Sequence, residues 1–421
     1  MIKKAAFLGL LAVVLAGAVS AQEGKVPKGI PRLDHVFVIM MENHGYNQII
    51  GNPDTPFAES YANSANSATN YFAVAHPSLT NYLEVVGGSN FGVHSDNNPD
   101  WHNATCTNNL ASGAVNTDSP ASPNVCPIYG TGTDAATPAI DCTNEVTCAP
   151  GSNDGENNID GVKSIDAAKH TLGKTIADQL VEAGLTWKSY QESLPSTGAD
   201  GVNFADGFFT DSSDIPGAIH GEAQTLIKLY AAKHNPFVYF RSVQEGAKPE
   251  LSLKRVVPFE GDGGLFEDLI SGHVPNFSFI APNQCTDQHG RGNAGPQCDF
   301  DPNDNGTLVG LNPALMYIGD LTLRNIVKAI HRSPVWHDGR NAIVVLWDED
   351  DYSVSPTTNK VLLVVDTNYG AHGVKDGTFF THFSLLKSLE GGFRLPCLNR
   401  ACDDSTKVIS SLFRGGDGDD R

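Results

Sequence analysis

The sequence predicts an α/β protein in which one parallel or mostly parallel sheet is covered by helices on both faces. Three observations predict it. His35 to Met41 and Ala342 to Trp347 each carry a continuous apolar run, as strands buried on both faces require. Stretches of helical periodicity alternate with such runs along the chain. Both apolar strands also end abruptly in polar clusters, Glu42-Asn43-His44-Gly45 and Asp348-Glu349-Asp350-Asp351. Open α/β sheets bind their ligands beyond the carboxyl ends of the strands, so the two clusters point to one edge.

The elements follow in order. Lys3-Lys4 precede an apolar run from Ala5 to Val19, and Val19-Ser20-Ala21 supplies small residues for cleavage. The run is too short to span a bilayer and reads as a secretory signal over residues 1–21. A secreted or periplasmic protein is expected, with no integral membrane segment in the mature chain. After the first strand, Pro56 to Ser64 reads as a helix and Ser67 to Val74 as extended chain. In His76-Pro77-Ser78-Leu79-Thr80-Asn81-Tyr82-Leu83, residues Leu79, Tyr82, Leu83 and Val86 recur at i, i+3, i+4 and i+7, and Gly87-Gly88 stops the helix.

Residues 89 to about 160 are rich in Asn, Asp, Ser, Thr, Gly and Pro and read as a disulfide-pinned insertion within a single domain spanning 22–414. Helical pattern returns at Thr171, with Leu172, Ile176 and Leu180 on one face and Gly184 after it. Thr186 to Tyr190 and Phe237 to Phe240 read as strands, with a helix around Glu222 to Ala232 between them. Phe277 to Ile280 reads as a strand and Asn283 to Asn305 as a polar loop. Asp320 to His331 reads as a helix, Lys360 to Val365 as a strand and Phe379 to Leu389 as a helix. The tail, 415–421, is expected to be disordered.

Hydrophobic residues make up 40% of the 421, enough for a sizeable core, and the formal net charge is −20. That surface repels phosphate-rich polymers, so no nucleic-acid partner is expected. Eight cysteines in an exported chain imply up to four disulfides. Spacing suggests Cys397 with Cys402, Cys285 with Cys298, and two bridges among Cys106, Cys126, Cys142 and Cys148. The absence of any C-x-x-C pair disfavours a zinc ribbon.

The chemistry begins with Ser78. A serine that opens a helix is ordinarily a cap, yet the helix start also favours an anion. Glu42, Asn43, Asp348 and Glu349 offer hard oxygen ligands suited to Mg, Ca or Mn, with Zn admitted through Asp and His. Acid after an apolar strand can equally be a turn or cap. A divalent ion would relieve repulsion within such clusters and acidify a nearby hydroxyl. Asp287 and His289 lie two apart on a loop carrying Cys285, and His289 can hold a phosphate oxygen or protonate a leaving group. His44, His76, His372 and His382 are weaker candidates. Asp301-Pro302-Asn303-Asp304-Asn305-Gly306 fits the start of a calcium loop, but Asn312 stands where Glu is required. No G-x-S-x-G, H-E-x-x-H or P-loop occurs.

Val36 to His44, Ile50-Gly51-Asn52, the His76 to Leu83 block, Thr186 to Glu192, Pro236 to Phe240, Pro282 to His289, Leu346 to Glu349 and Thr381 to Leu386 together resemble a bacterial and fungal phosphoesterase family. That family includes secreted acid phosphatases and phosphatidylcholine-type phospholipases C, and the short acid-phosphatase-like members are the most similar. The resemblance implies an alkaline-phosphatase-like three-layer α/β/α sandwich. It also implies a Ser78 nucleophile with Asn81 in its helix, Asn43, Asn81 and His289 at phosphate, and Glu42, Asn43, Asp348 and Glu349 at a divalent metal. Asp287 and His382 are weaker additions. Two departures from the pattern stand out: Thr80 replaces a proline, and Asp350-Asp351 replace a Gly-Gly pair.

The expected function is a secreted, metal-dependent phosphomonoesterase working through phosphoserine on a small phosphate monoester or phospholipid. The alternatives are a phospholipase C or other phosphodiesterase using the same site, and a non-catalytic calcium-binding protein.

Overall fold

The computed structural model describes residues 23–91, 96, 173–194, 197–199, 229–291, 294–350 and 358–414. The signal, most of the 89–160 insertion with its four cysteines, the Glu222 to Ala232 helix as far as residue 228, and the 415–421 tail lie outside the described residues.

Among the described residues, nine strands form one sheet: β1 (His35–Met41), β2 (Asn66–Phe72), β3 (Trp187–Gln191), β4 (Val256–Pro258), β5 (Phe277–Ala281), β6 (Asn341–Trp347), β7 (Lys360–Thr367), β8 (Lys375–Asp376) and β9 (Phe380–Thr381). Their order is β4-β3-β5-β1-β6-β7-β2-β8, and β9 also pairs with β2. β7 runs antiparallel to both of its neighbours, and every other pairing is parallel. The sheet is therefore mostly parallel, as the apolar runs predict. β6 is buried along its whole length and β1 everywhere but its first residue, which is why neither alternates.

The helices are α1 (Tyr46–Ile49), α2 (Pro56–Ser64), α3 (Ser78–Gly87), α4 (Ile176–Glu182), α5 (Arg241–Glu245), α6 (Leu265–Ser271), α7 (Pro313–Arg332) and α8 (His382–Phe393). They pack in two groups, α2 and α6 against α7, and α4 and α8 against α3. Two such groups around strands buried on both faces make three layers. α3 begins at Ser78 and stops at Gly88, whose φ of 71° places it in the left-handed region open to glycine.

Several expectations change. Phe237 to Phe240 is not a strand: Pro236–Tyr239 is a 3-10 turn. Pro236 opens it with a fixed φ and no N–H for a ladder, and Phe237 is buried between Trp187 and Phe279. A short apolar run reports burial, and burial alone does not choose between strand and turn. α4 starts later than Thr171, at Ile176, because Thr175 caps it by accepting from Ala177 N and Asp178 N. α8 starts at His382 because Phe380 and Thr381 pair with β2 first. The helix expected over 320–331 extends back to Pro313. Asn312 caps it through Ala314 N and Leu315 N, so the residue at the twelfth calcium-loop position serves a helix instead. Disulfides join Cys285 to Cys298 and Cys397 to Cys402, the pairs that spacing suggested.

Candidate active site

Met41 pairs with Trp347 at the last register position of β1 and β6, so Glu42 and Asp348 leave the sheet side by side. Asp348 N donates to Met41 O at 3.0 Å, and Glu42 N donates to Asp287 O at 2.9 Å. Asp287 follows β5, the other neighbour of β1. Three consecutive sheet positions thus bring three fully buried carboxylates together.

Ser78 reaches this edge from β2 through the turn that opens α3. Its hydroxyl donates to Glu42 Oε2 at 3.1 Å and lies 3.4 Å from Glu349 Oε1. Asn81 fixes that turn. Its Oδ1 accepts from Val74 N at 3.0 Å and Ala75 N at 3.1 Å, while Nδ2 donates to Ala75 O and to Glu349 Oε2, both at 2.8 Å. His76 Nδ1 stands 3.0 Å from the same Glu349 oxygen. Glu349 is thereby engaged on both oxygens by the chain around Ser78.

On the other side, Tyr82 donates to Glu42 Oε1 at 2.6 Å. His234 Nε2 is 3.1 Å from that oxygen, and its Nδ1 is 3.2 Å from Asp287 Oδ2, so the imidazole bridges two of the acids. Its ring stacks on Tyr82, with centroids 5.2 Å apart. Lys233 Nζ donates to His289 Nε2 at 3.1 Å and pairs with Asp96 Oδ2 at 3.2 Å. Asp96 Oδ1 accepts from Leu79 N at 3.1 Å, so a carboxylate occupies the N-terminus of α3 beside Ser78.

Burial drives the electrostatics. It pushes the Glu42 carboxyl up to about 7, opposed by the Lys233 charge and by the Tyr82 and Ser78 hydrogen bonds. Asp287 and Asp348 are raised well above the usual carboxylate range, first by burial and then by the Glu42 charge. His234 is held neutral by burial, with the charge of Lys233 adding to it. Desolvating each unpaired ion costs several kcal/mol, on the order of the protein's whole stability.

A divalent cation would remove that cost. Glu42, His234 and His289 each offer a donor atom within 4.8 Å of the others, and Asp348 Oδ2 is buried with no hydrogen-bond partner. Mixed carboxylate and imidazole donors suit Zn or Mn better than Ca.

Of the residues predicted from sequence, Glu42, Ser78, Asn81, Asp287, His289, Asp348 and Glu349 come together. Asn43 contributes its backbone N–H to Asp348 Oδ1 at 3.1 Å. His382 stands behind the site, with Nε2 on Asp348 O at 2.6 Å and Nδ1 on Tyr71 OH at 2.7 Å, and burial lowers it to about 4. Asp350 exchanges hydrogen bonds with Asn359 and stands 3.6 Å from His76 Nε2. Asp351 lies outside the described residues. His44 faces Asp301 at 2.8 Å rather than this cluster. His372 faces Asp366 at 3.7 Å.

Sequence reasoning missed Lys233 and His234, which sit on a single 3-10 turn without periodicity. Their one signal is a Lys-His pair inside the otherwise largely apolar stretch from Leu229 to Phe240. Tyr82 registered only as part of an apolar stripe.

Comparison with known proteins finds acid phosphatases among the relatives. An acid phosphatase of Aspergillus fumigatus is 23% identical over 365 residues, covering 86% of this chain and 56% of that protein. A probable acid phosphatase of Kluyveromyces lactis is 21% identical, covering 88% of this chain and 60% of that protein. The chain therefore spans little more than half the length of these two relatives. A phosphatidylinositol-3-phosphatase of Mycobacterium tuberculosis is 24% identical over 399 residues, covering 93% of this chain and 88% of that protein. Among solved structures, the phosphonate monoester hydrolase of Agrobacterium radiobacter superposes with a TM-score of 0.42 at 12% identity, covering 92% of this chain and 78% of that one. The model of the Phosphoesterase family matches residues 52–297, more than half of the chain, and the protein belongs to that family.

Proposed function

We propose that the protein is a secreted, metal-dependent phosphomonoesterase, an acid phosphatase, with Ser78 as nucleophile. The observation that carries this reading is the Ser78 hydroxyl, donated at 3.1 Å to a buried Glu42 at the start of a helix. Ser78 Oγ attacks phosphorus as its proton passes to Glu42, and the ester P–O bond breaks. The departing oxygen takes its proton from the Lys233–His289 pair, which shares one hydrogen at 3.1 Å. Water then attacks the phosphoserine, gives its proton back to that pair, and releases phosphate as Ser78 Oγ recovers its proton from Glu42.

Glu42, Asp287, Asp348 and His234 would hold the cation, which when bound supplies charge neutralisation and acidifies the hydroxyl. His289 is assigned to the leaving group because its Nε2 already faces an ammonium and its Nδ1 is engaged by Gly290 O at 3.0 Å. Glu349 and Asn81 position Ser78, and the Asn43 backbone N–H positions Asp348. The Leu79 N–H and Lys233, which now hold the Asp96 carboxylate, are suited to phosphate oxygens.

The Mycobacterium tuberculosis relative, which matches over most of both lengths, favours a second substrate, a phosphoinositide. Its headgroup is also a phosphomonoester, so the same site serves it. Among the described residues no helix is long and apolar enough to cross a membrane.

The deciding experiment follows p-nitrophenyl phosphate turnover in wild-type and Ser78→Ala protein, with and without EDTA, and traps phosphoserine by acid quench. Loss of turnover in the variant and with chelator supports the reading. Full turnover in both would overturn it, and faster hydrolysis of the p-nitrophenyl phosphorylcholine diester would move it to a phosphodiesterase.

A further inference from the structure

Phe300 is a large apolar side chain left 50% exposed, and it stands beside His289. The two rings meet edge to face, with centroids 6.0 Å apart at 69°. Its place is built. Gly290 has a φ of +95°, and a Cβ there would lie 3.0 Å from both Cα and Cδ1 of Phe300, so only glycine lets the ring pack this close.

The backbone on either side of Phe300 is also pinned. Asp299 O accepts from Asn312 Nδ2 at 2.8 Å, and Asp301 accepts from Asn312 N at 2.6 Å and faces His44 Nε2 at 2.8 Å. The Cys285–Cys298 disulfide and the Arg291 N to Cys298 O hydrogen bond close the loop that carries His289 and ends two residues before Phe300. A half-exposed aromatic ring held this firmly loses little conformational entropy when something stacks on it.

We propose that Phe300 forms the leaving-group subsite and selects phosphomonoesters of flat, apolar alcohols, phenols above all. This rests on the assignment of His289 to the leaving group. The group attached to the ester oxygen that His289 serves extends past its ring to the exposed Phe300 face. An aromatic contact of this kind is worth about 3–10-fold in affinity.

The test is binding of two non-hydrolysable ligands, phenylphosphonate and methylphosphonate, to metal-loaded wild-type, Phe300→Ala and Phe300→Trp proteins by calorimetry. The expected result is a wild-type preference for phenylphosphonate that falls about 3–10-fold in Phe300→Ala and returns in Phe300→Trp. Circular dichroism establishes that the variants fold. An unchanged preference in folded Phe300→Ala, or no wild-type preference, overturns the proposal. Because the ligands do not turn over, the outcome is separate from that of the phosphatase assay. A preference that depends on Phe300 in a protein without phosphatase activity would sink the catalytic reading and keep the subsite.

Discussion

Ser78 and Tyr82 stand one turn apart on α3 and donate to opposite oxygens of one carboxylate, that of Glu42, at 3.1 and 2.6 Å. The 3.6-residue repeat places both hydroxyls on one face, and the pair fixes the rotation of the carboxylate proposed to receive the Ser78 proton and to face a cation. Glu42→Gln keeps the shape and loses the base. It should lower kcat by about 10²–10⁴-fold with little change in thermal stability at neutral pH. Tyr82→Phe removes one charge-assisted hydrogen bond, about 1.5–3 kcal/mol, and should lower kcat about 10-fold or more. Steady-state kinetics on folded variants checks both.

Glu349 separates a positioning role from a ligand role. Its oxygens face Ser78, Asn81 and His76. Glu349→Gln should reduce kcat about 10–100-fold while leaving bound metal, measured by elemental analysis, unchanged. Asp348→Asn, by contrast, should lower metal content. Equal metal loss in the two variants would return Glu349 to the ligand set.

The buried acid cluster makes the stability of the metal-free protein depend on pH. Burial raises the Glu42 carboxyl from its ordinary 4.5 to about 7. The folded, metal-free protein therefore binds more protons than the unfolded chain across that interval, and its stability falls as pH rises from 4.5 to 7. Asp287 and Asp348, raised further, extend the loss upward. A bound cation favours the ionised acids and should flatten or invert the slope. Melting temperatures between pH 4.5 and 8, with chelator and with Zn or Mn, test the sign. A chelated protein that gains stability across this window would show that the cluster is not the dominant titrating group.

Lys233 predicts a dependence on the leaving group. Lys233→Met removes the ammonium shared by His289 and Asp96. Turnover of an alkyl phosphate, whose departing oxygen needs a proton, should fall about 10-fold more than that of p-nitrophenyl phosphate, whose leaving group is already stable as an anion. Equal losses would place Lys233 in phosphate binding alone.

The legible parts of the site are those that follow a strand or open a helix. Glu42 and Asp348 were readable because an apolar run that ends in acid marks a strand end, and strand ends share an edge. Ser78 was readable from the helix that starts beside it, and Asn81 only from the family resemblance. Lys233 and His234 were not, because a three-residue turn has no period and its side chains gain meaning only from what they meet. The Phe237 strand failed for the same reason: burial between Trp187 and Phe279 is a tertiary fact that leaves an apolar run but no hydrogen-bonding pattern.

Local chemistry along the chain determined the α/β class, the main strands and the edge at which the acids gather, since hydrophobic period and turn residues act over a few positions. Only the tertiary structure decided the partners. It turned Glu349 towards Ser78, set Asp350 against Asn359, and brought His234 between Glu42 and Asp287. Those choices depend on side-chain packing between separate elements, across gaps from nine residues for Asp350 and Asn359 to 271 for Ser78 and Glu349, which no sequence period reports.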